Sequence, residues 1–344
     1  MILTTGAPAQ RRSARVRRRS QPPVAVLRLP EPPLSATPKD PAVHHVRVAL
    51  DTRLRALLKH DRSVRTGADV EDVHQMRVSV RRMRAALKAA GPLLDADWAD
   101  GLRAELGWLG RSLGPVRDLD VLQPRLRGLA ADLPPEERAA AEGLLDALSA
   151  EYAVARDEML VALSAPRYTA LLERLADSVR LPLPTPTATA RRPELVELVR
   201  GEYRSLRKSV QKAGQNPPDE VLHALRIKGK RLRYTGELAE PALGKPVRRV
   251  LEATAVLQEI LGDHQDACVA QQRIRELVDN LDDEADPLVA FAAGRMSERE
   301  HVRGEYQRTL WWAAWEQVKE QAEELEERPA SAPARRRTGP GSAR

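Results

Sequence analysis

Two segments of this 344-residue chain place one histidine and a run of basic side chains at matching spacing. The first, HQMRVSVRRMRAALK, holds His74, Arg77, Arg81, Arg82, Arg84 and Lys88. The second, HALRIKGKRLR, holds His223, Arg226, Lys230, Arg231 and Arg233, with Lys228 in addition. A helix advances about 100° per residue, which puts His74, Arg77, Arg81, Arg84 and Lys88 in one stripe roughly 80° wide. The stripe borders the apolar positions Val73, Met76, Val80, Met83 and Leu87, whereas a plainly solvated face lies opposite them. His223, Arg226, Lys230 and Arg233 repeat the same angles; Arg82 and Arg231 lie off the stripe but occur in both copies. Like charges at i,i+4 repel by a few tenths of a kcal/mol per pair, so a stripe built twice calls for an anion to offset it. Arginine suits phosphoryl oxygens, because its planar fork donates two parallel charge-assisted hydrogen bonds. The run from His74 to Lys88 is about 20 Å long, which suits a chain of phosphates better than a single one. A phosphate beside His74 or His223 would favour the protonated ring.

Other chemistries fit these residues less well. The stripe also reads as a solvated face or an intramolecular salt-bridge surface. A metal at His74 and His223 is not expected, because His-x-x-Arg puts a cation where a second ligand belongs. The single cysteine, Cys268, excludes an internal disulfide and a Cys-based metal cluster. No paired carboxylates or nucleophile motif supports catalysis, so neither a catalytic residue nor a cofactor is expected. The enzymatic rival is a phosphohydrolase using His74 or His223. Asp118 and Asp266 read as carboxylates that orient arginines or cap helices.

The formal charge of +7 invites a polyanion reading, but its location matters. Residues 1–40 carry eight Lys/Arg and two acids, and residues 329–344 carry four Arg and no acid. The tails therefore supply +10, and residues 41–328 are net −3. The stripes are local exceptions in a slightly acidic body. Basic tails support a second rival, nucleic-acid binding; an aromatic content of 3% opposes it, since single strands are gripped by stacking. No apolar run reaches the roughly 18 residues of a membrane span, so no membrane partner is expected.

The elements that must hold the stripes are helices throughout. Leu, Ala, Arg and Glu dominate, and no strand-like alternation is present. Residues 1–40 and 329–344 read as disordered basic segments. The first half, 41–180, reads as helices over 41–60, 69–90, 95–113, 116–133, 135–163 and 166–179. Asp69 is the expected N-cap of the stripe helix, with Asp72 as its capping-box acid, and Gly114-Pro115 is expected to break the third helix. A proline-rich linker, 181–192, precedes a second half, 193–328, with helices over 193–213, 216–239, 246–261, 263–281 and 286–328. Asn216 is the expected cap of the second stripe helix, and Gly262 the expected break. Trp311, Trp312 and Trp315 read as core. His74 and His223 are 149 residues apart, while Leu113-Gly114 and Leu261-Gly262 are 148 apart. Two motifs at nearly one offset argue for an internal duplication.

HQMRVSVRRMR, HALRIKGKRLRY, LGPVRDLDVL and LQEILGDHQDA resemble the signature segments of the CHAD family, over residues 41–328. The resemblance implies an all-α fold of two similar helical bundles, related by a pseudo-two-fold axis around a basic channel. It implies non-enzymatic binding of inorganic polyphosphate through the histidines and basic residues named above, in the cytoplasm and at polyphosphate granules. Arg117 is a weaker candidate because its counterpart is Gln265. Lys228 is another, opposite Ser79, and Lys88 has Glu237 as its counterpart. The alternating Glu-x-Glu-x-Lys strand of the triphosphate-hydrolase domain that some members carry is not found here.

Overall fold

The computed structural model describes residues 27–185, 194–282 and 284–327. Among them no strand occurs. The first half comprises α1 (Ala42–Thr66), α2 (Val70–Ala89), α3 (Ala96–Ala131), α4 (Pro135–Ser164) and α5 (Pro166–Arg180). The second comprises α6 (Leu195–Ala213), α7 (Asp219–Leu243), α8 (Lys245–Asp279) and α9 (Pro287–Glu327). The expected all-α fold is thus present. The two groups of helices meet where α2 packs on α7 and where α4 packs on α9.

The stripe helix α2 is placed by its two ends. Asp69 accepts a hydrogen bond from the Glu71 amide, the expected N-cap. Asp72 closes no capping box; its carboxylate takes hydrogen bonds from His60 and Ser63 of α1 instead. Gly67 ends α1 with φ 72°, a left-handed conformation open to glycine, and its amide returns to Ser63 O at 2.8 Å. α1 therefore runs to Thr66, beyond the expected end at 60. Val73, Met76, Val80, Met83 and Leu87 are all buried, so the apolar face lies where its period puts it. Val46, Leu50, Leu54 and Leu57 of α1 are fully buried against it.

Two expected breaks are absent. α3 runs unbroken through Pro115 and Pro124, and α8 runs unbroken through Gly262. An internal proline costs about 3 kcal/mol through a lost hydrogen bond and a ring clash. Here Leu113, Val116, Leu119 and Leu126 are buried around the two prolines, and that packing keeps the helix whole. Asn216 does not cap α7 either: its side chain accepts from Arg308, and Pro218 occupies the N-cap position.

The expected disordered arm is corrected over residues 27–40. Leu27 and Leu29 are buried, and the fully buried Asp51 accepts the Leu34 amide at 2.8 Å. Arg55 bridges Asp51 at 2.7 Å and the Pro30 carbonyl at 2.5 Å, tying this segment to α1. Of the expected linker, Leu183 is buried and the Pro184 carbonyl accepts the Asp95 amide at 3.0 Å. Residues 1–26, 186–193 and 328–344, including the rest of that arm, the linker and the basic tail, lie outside the described residues. Trp311 and Trp315 are buried and Trp312 packs against the core, as expected of structural tryptophans.

Candidate anion-binding cleft

α2 and α7 turn part of their basic stripes toward one another, with α3 and α8 flanking them. The result is a cleft of about 530 Å³ lined by His74, Arg77 and Arg81 from α2, Arg117 and Arg125 from α3, and Arg226 and Lys230 from α7. Two carboxylates, Asp118 of α3 and Asp266 of α8, also face it.

Each stripe arginine nearest the helix start rests on a glycine of the neighbouring helix. Arg77 donates to the Gly114 carbonyl at 2.7 Å and pairs with Asp118 at 3.1 Å. A Cβ on Gly114 would lie 3.2 Å from the Arg77 guanidinium, so the absence of a side chain there lets the arginine pass. In the second half, a Cβ on Gly262 would lie 3.6 Å from the Arg226 guanidinium. The two halves therefore make like contacts at these positions. This explains the Leu-Gly motif: its glycine admits an arginine and does not break the helix.

The cations in the cleft are only partly neutralised. Among the described residues, Arg81, Arg117, Arg226 and Lys230 have no carboxylate within 4.0 Å. Arg81 lies 6.0 Å from the centroid of the Tyr234 ring, a contact between α2 and α7. The Arg226 Nε is buried without a hydrogen-bond partner. Burial lowers the Arg226 pKa, with Asp266 acting against that and Arg81 adding to it. Burial, then Arg226 and Arg81, brings the Lys230 pKa down to about 8. His74 is held below the ordinary histidine value by burial and then by Arg117, with Arg81 and Arg77 contributing, so its ring is neutral at pH 7. The expectation of a raised histidine pKa applies to the phosphate-bound state; without an anion, burial and then the neighbouring cations push it down.

Several expected binding residues point elsewhere. His223 does not line the cleft; its Nδ1 donates to Gln265 Oε1 at 2.5 Å. Arg231 pairs with Glu202 of α6 at 2.8 Å, and Lys228 donates to Ser205 of α6 at 2.9 Å. Arg82 at 3.4 Å and Arg233 at 3.3 Å share Glu237 on the far side of the α2–α7 contact. Arg84 packs across Gly107 of α3, and Lys88 is exposed beyond the cleft. The stripe is one angular band in sequence. In space only His74, Arg77 and Arg81, about 10 Å of helix, line the cleft, while Arg84 lies against Gly107 of α3.

Conversely, Arg117 lines the cleft although Gln265 stands at the matching position of the second Leu-Gly motif. Arg125 lines it too and was not foreseen. It makes a two-pronged pair with Glu300 of α9, which is 1% exposed, so its charge is already matched. The available sequence signal was position: Arg117, Val121 and Arg125 recur every four residues along α3.

Among the described residues no helix is long and apolar enough to cross a membrane. The family model for the CHAD domain matches residues 48–275. Two proteins of Mycobacterium tuberculosis named as uncharacterized, MT2285 of strain CDC 1551 / Oshkosh and Rv2226 of strain H37Rv, are 32% identical over 246 residues. That alignment covers 69% of this chain and 45% of each relative, so the chain spans under half the length of those proteins. The crystal structure of the CHAD domain from the plant Ricinus communis aligns at TM-score 0.59 and 27% identity, covering 87% of this chain and 96% of that one. PptA from Streptomyces chartreusis aligns at TM-score 0.65 and 22% identity, over 80% of this chain and all of that one, and shows likeness of fold. The match over most of the folded chain, with the four motifs on the helices that build the cleft, makes this protein a member of the CHAD domain family.

Proposed function

We propose that the chain binds inorganic polyphosphate without catalysing its turnover, in the cleft between α2, α3, α7 and α8, and that this binding brings it to polyphosphate granules in the cytoplasm. The observation that carries the reading is the set Arg81, Arg117, Arg226 and Lys230, partly buried or crowded cations with no carboxylate within 4.0 Å among the described residues. Holding such charges together costs free energy that a polyanion offsets. The two carboxylates present fit a supporting role: Asp118 holds Arg77, and Asp266 lies where it favours the charged form of Arg226. None of the lining residues is Phe, Tyr or Trp, so the cleft lacks the large rings on which single strands stack; this favours polyphosphate over single-stranded nucleic acid.

The test is titration of the full-length protein with long-chain polyphosphate at several salt concentrations. Arg77→Ala/Arg81→Ala/Arg226→Ala is expected to bind at least about 100-fold more weakly, at 1.5–3 kcal/mol per charge-assisted contact, and to show a shallower salt dependence. Equal affinity of the triple variant and wild type would remove the cleft from the reading. Displacement of polyphosphate by DNA or RNA at equal phosphate concentration would favour nucleic acid. Phosphate release that disappears in His74→Ala would favour a hydrolase.

A further inference from the structure

A second cluster of side chains stands apart from the cationic set. Asp219 opens the first turn of α7, while His264 and Cys268 lie four residues apart on α8 and so share a face. His264 Nε2 is 3.2 Å from Asp219 Oδ1. Cys268 Sγ is 3.8 Å from Asp219 Oδ2 and 3.9 Å from His264 Nε2. Tetrahedral zinc, with bonds of about 2.0–2.2 Å to N or O and about 2.3 Å to S, has ligand–ligand edges of roughly 3.3–3.6 Å. The His264–Asp219 separation fits such an edge, the two sulfur separations are a few tenths of an ångström longer and reach the other carboxylate oxygen, and one donor atom from each residue lies within 4.8 Å of the others.

A His264–Asp219 hydrogen bond accounts for the first separation, and the thiol adds a long S–H···O contact to the same carboxylate, so all three donors converge on one point. The sulfur makes only long contacts, to Asp219 Oδ2 at 3.8 Å and to the two His264 ring nitrogens at 3.9 and 4.0 Å, slightly beyond the edges of a bound ion. His264 is 3% exposed, so its ring is fixed by packing. Arg308 donates to Asp219 Oδ1 and also to Asn216 Oδ1 at 3.0 Å and the Pro217 carbonyl at 2.7 Å, which sets the carboxylate's orientation and leaves Oδ2 for another partner. Such outer hydrogen bonds to ligating carboxylates are a regular part of metal sites. Asp219 and Cys268 also line a cleft of about 830 Å³ that shares Asp118, Leu122 and Val269 with the cationic one. Sulfur and imidazole donors select zinc-like ions over magnesium or calcium. A single cysteine excludes a Cys-only cluster, not a mixed set of this kind.

We propose that Asp219, His264 and Cys268 form a three-residue site for a zinc-class divalent ion, with a fourth position open to the adjoining cleft for water or an anionic oxygen. The test uses the reduced full-length protein, loaded with Zn2+ alone or Co2+ alone and passed through gel filtration. One ion per chain is expected to remain bound, and the cobalt form is expected to show thiolate-to-cobalt charge-transfer absorption. Cys268→Ser is expected to abolish that absorption, and Cys268→Ser and Asp219→Asn each to weaken zinc binding at least tenfold. A wild-type cobalt form without thiolate absorption overturns the assignment, and this holds whether or not the variants fold. So does zinc retention in Cys268→Ser equal to wild type.

Discussion

Replacing Lys230 by methionine is expected to stabilise the free protein while weakening its hold on polyphosphate. The ammonium group is largely removed from water beside Arg226 and Arg81, and its pKa falls from 10.5 to about 8. At about 1.4 kcal/mol per pH unit, holding that charge costs at most about 3 kcal/mol at pH 7. The sign follows from proton counting. Between about 8 and 10.5 the unfolded chain binds more protons at this site than the folded one, so stability rises with pH across that window. The penalty is fully present below it and gone above it. Methionine keeps the length of the side chain and removes the charge, so the gain from Lys230→Met is expected to be about 3 kcal/mol at pH 7 and about half that at pH 9.5. Urea unfolding of both proteins at the two pH values measures it. In the same variant, loss of one charge-assisted contact of about 1.5–3 kcal/mol weakens polyphosphate binding by about tenfold or more. No gain at pH 7, or a gain that persists unchanged at pH 9.5, would refute the account of Lys230 as an unmatched charge held in place for a ligand.

Arg82→Ala/Arg231→Ala is expected to change polyphosphate affinity by less than about twofold, since a lost contact outside the cleft removes little beyond screened long-range attraction; titration against wild type checks it. His74 is neutral at pH 7 because burial and Arg117 lower its pKa, and a bound phosphate favours the charged ring, so binding is expected to take up protons and to tighten as pH falls toward 6. Calorimetry at about pH 6.5, where Lys230 is already charged, in two buffers of different ionisation enthalpy measures the uptake, which His74→Gln largely removes. Arg125→Ala leaves the buried Glu300 without its partner and is expected to destabilise the fold by about 3–5 kcal/mol, seen as a lower urea midpoint, with Glu300→Gln on the same background restoring much of it.

Much of this architecture is legible in the sequence because helices announce themselves by period and by capping. The buried face of α2, the Asp69 cap and the Pro135 and Pro166 helix starts all follow from local rules. Local rules fail where tertiary packing overrides them. Gly114-Pro115 reads as a break, yet the glycine is there to let Arg77 reach its carbonyl, and burial of Leu113 and Val116 holds the helix through the proline. The arm is the converse case: residues 27–40 carry no period, but Asp51 and Arg55 on α1 supply the partners their backbone needs. The candidate site was legible as a stripe but not in extent. An angular projection places Arg84 and Lys88 beside Arg77; only the packing of neighbouring helices, such as α3 at Arg84, decides which of them reach the cleft.

The two halves also differ in ways that no single position reveals. Where α2 crosses α3, Val80 lies over Gly110, and a Cβ there would meet it at 3.6 Å. At the corresponding crossing of α7 and α8 the sizes are exchanged: Gly229 makes room for Gln258, whose amide nitrogen lies 2.2 Å from where a Cβ would stand. The gap is conserved in space but its owner changes helix, so each glycine alone looks like a helix weakness of about 1 kcal/mol and the pair looks like a packing solution. The same exchange governs the histidines. In the first half burial, and then the Arg117 charge in the cleft, keep the His74 ring neutral, ready to take a proton when an anion arrives. In the second half the corresponding residue is Gln265, which adds no charge and ties His223 by a hydrogen bond. One difference, arginine against glutamine, thus leaves His74 as the cleft histidine, with Arg226 and Lys230 as the second half's contribution.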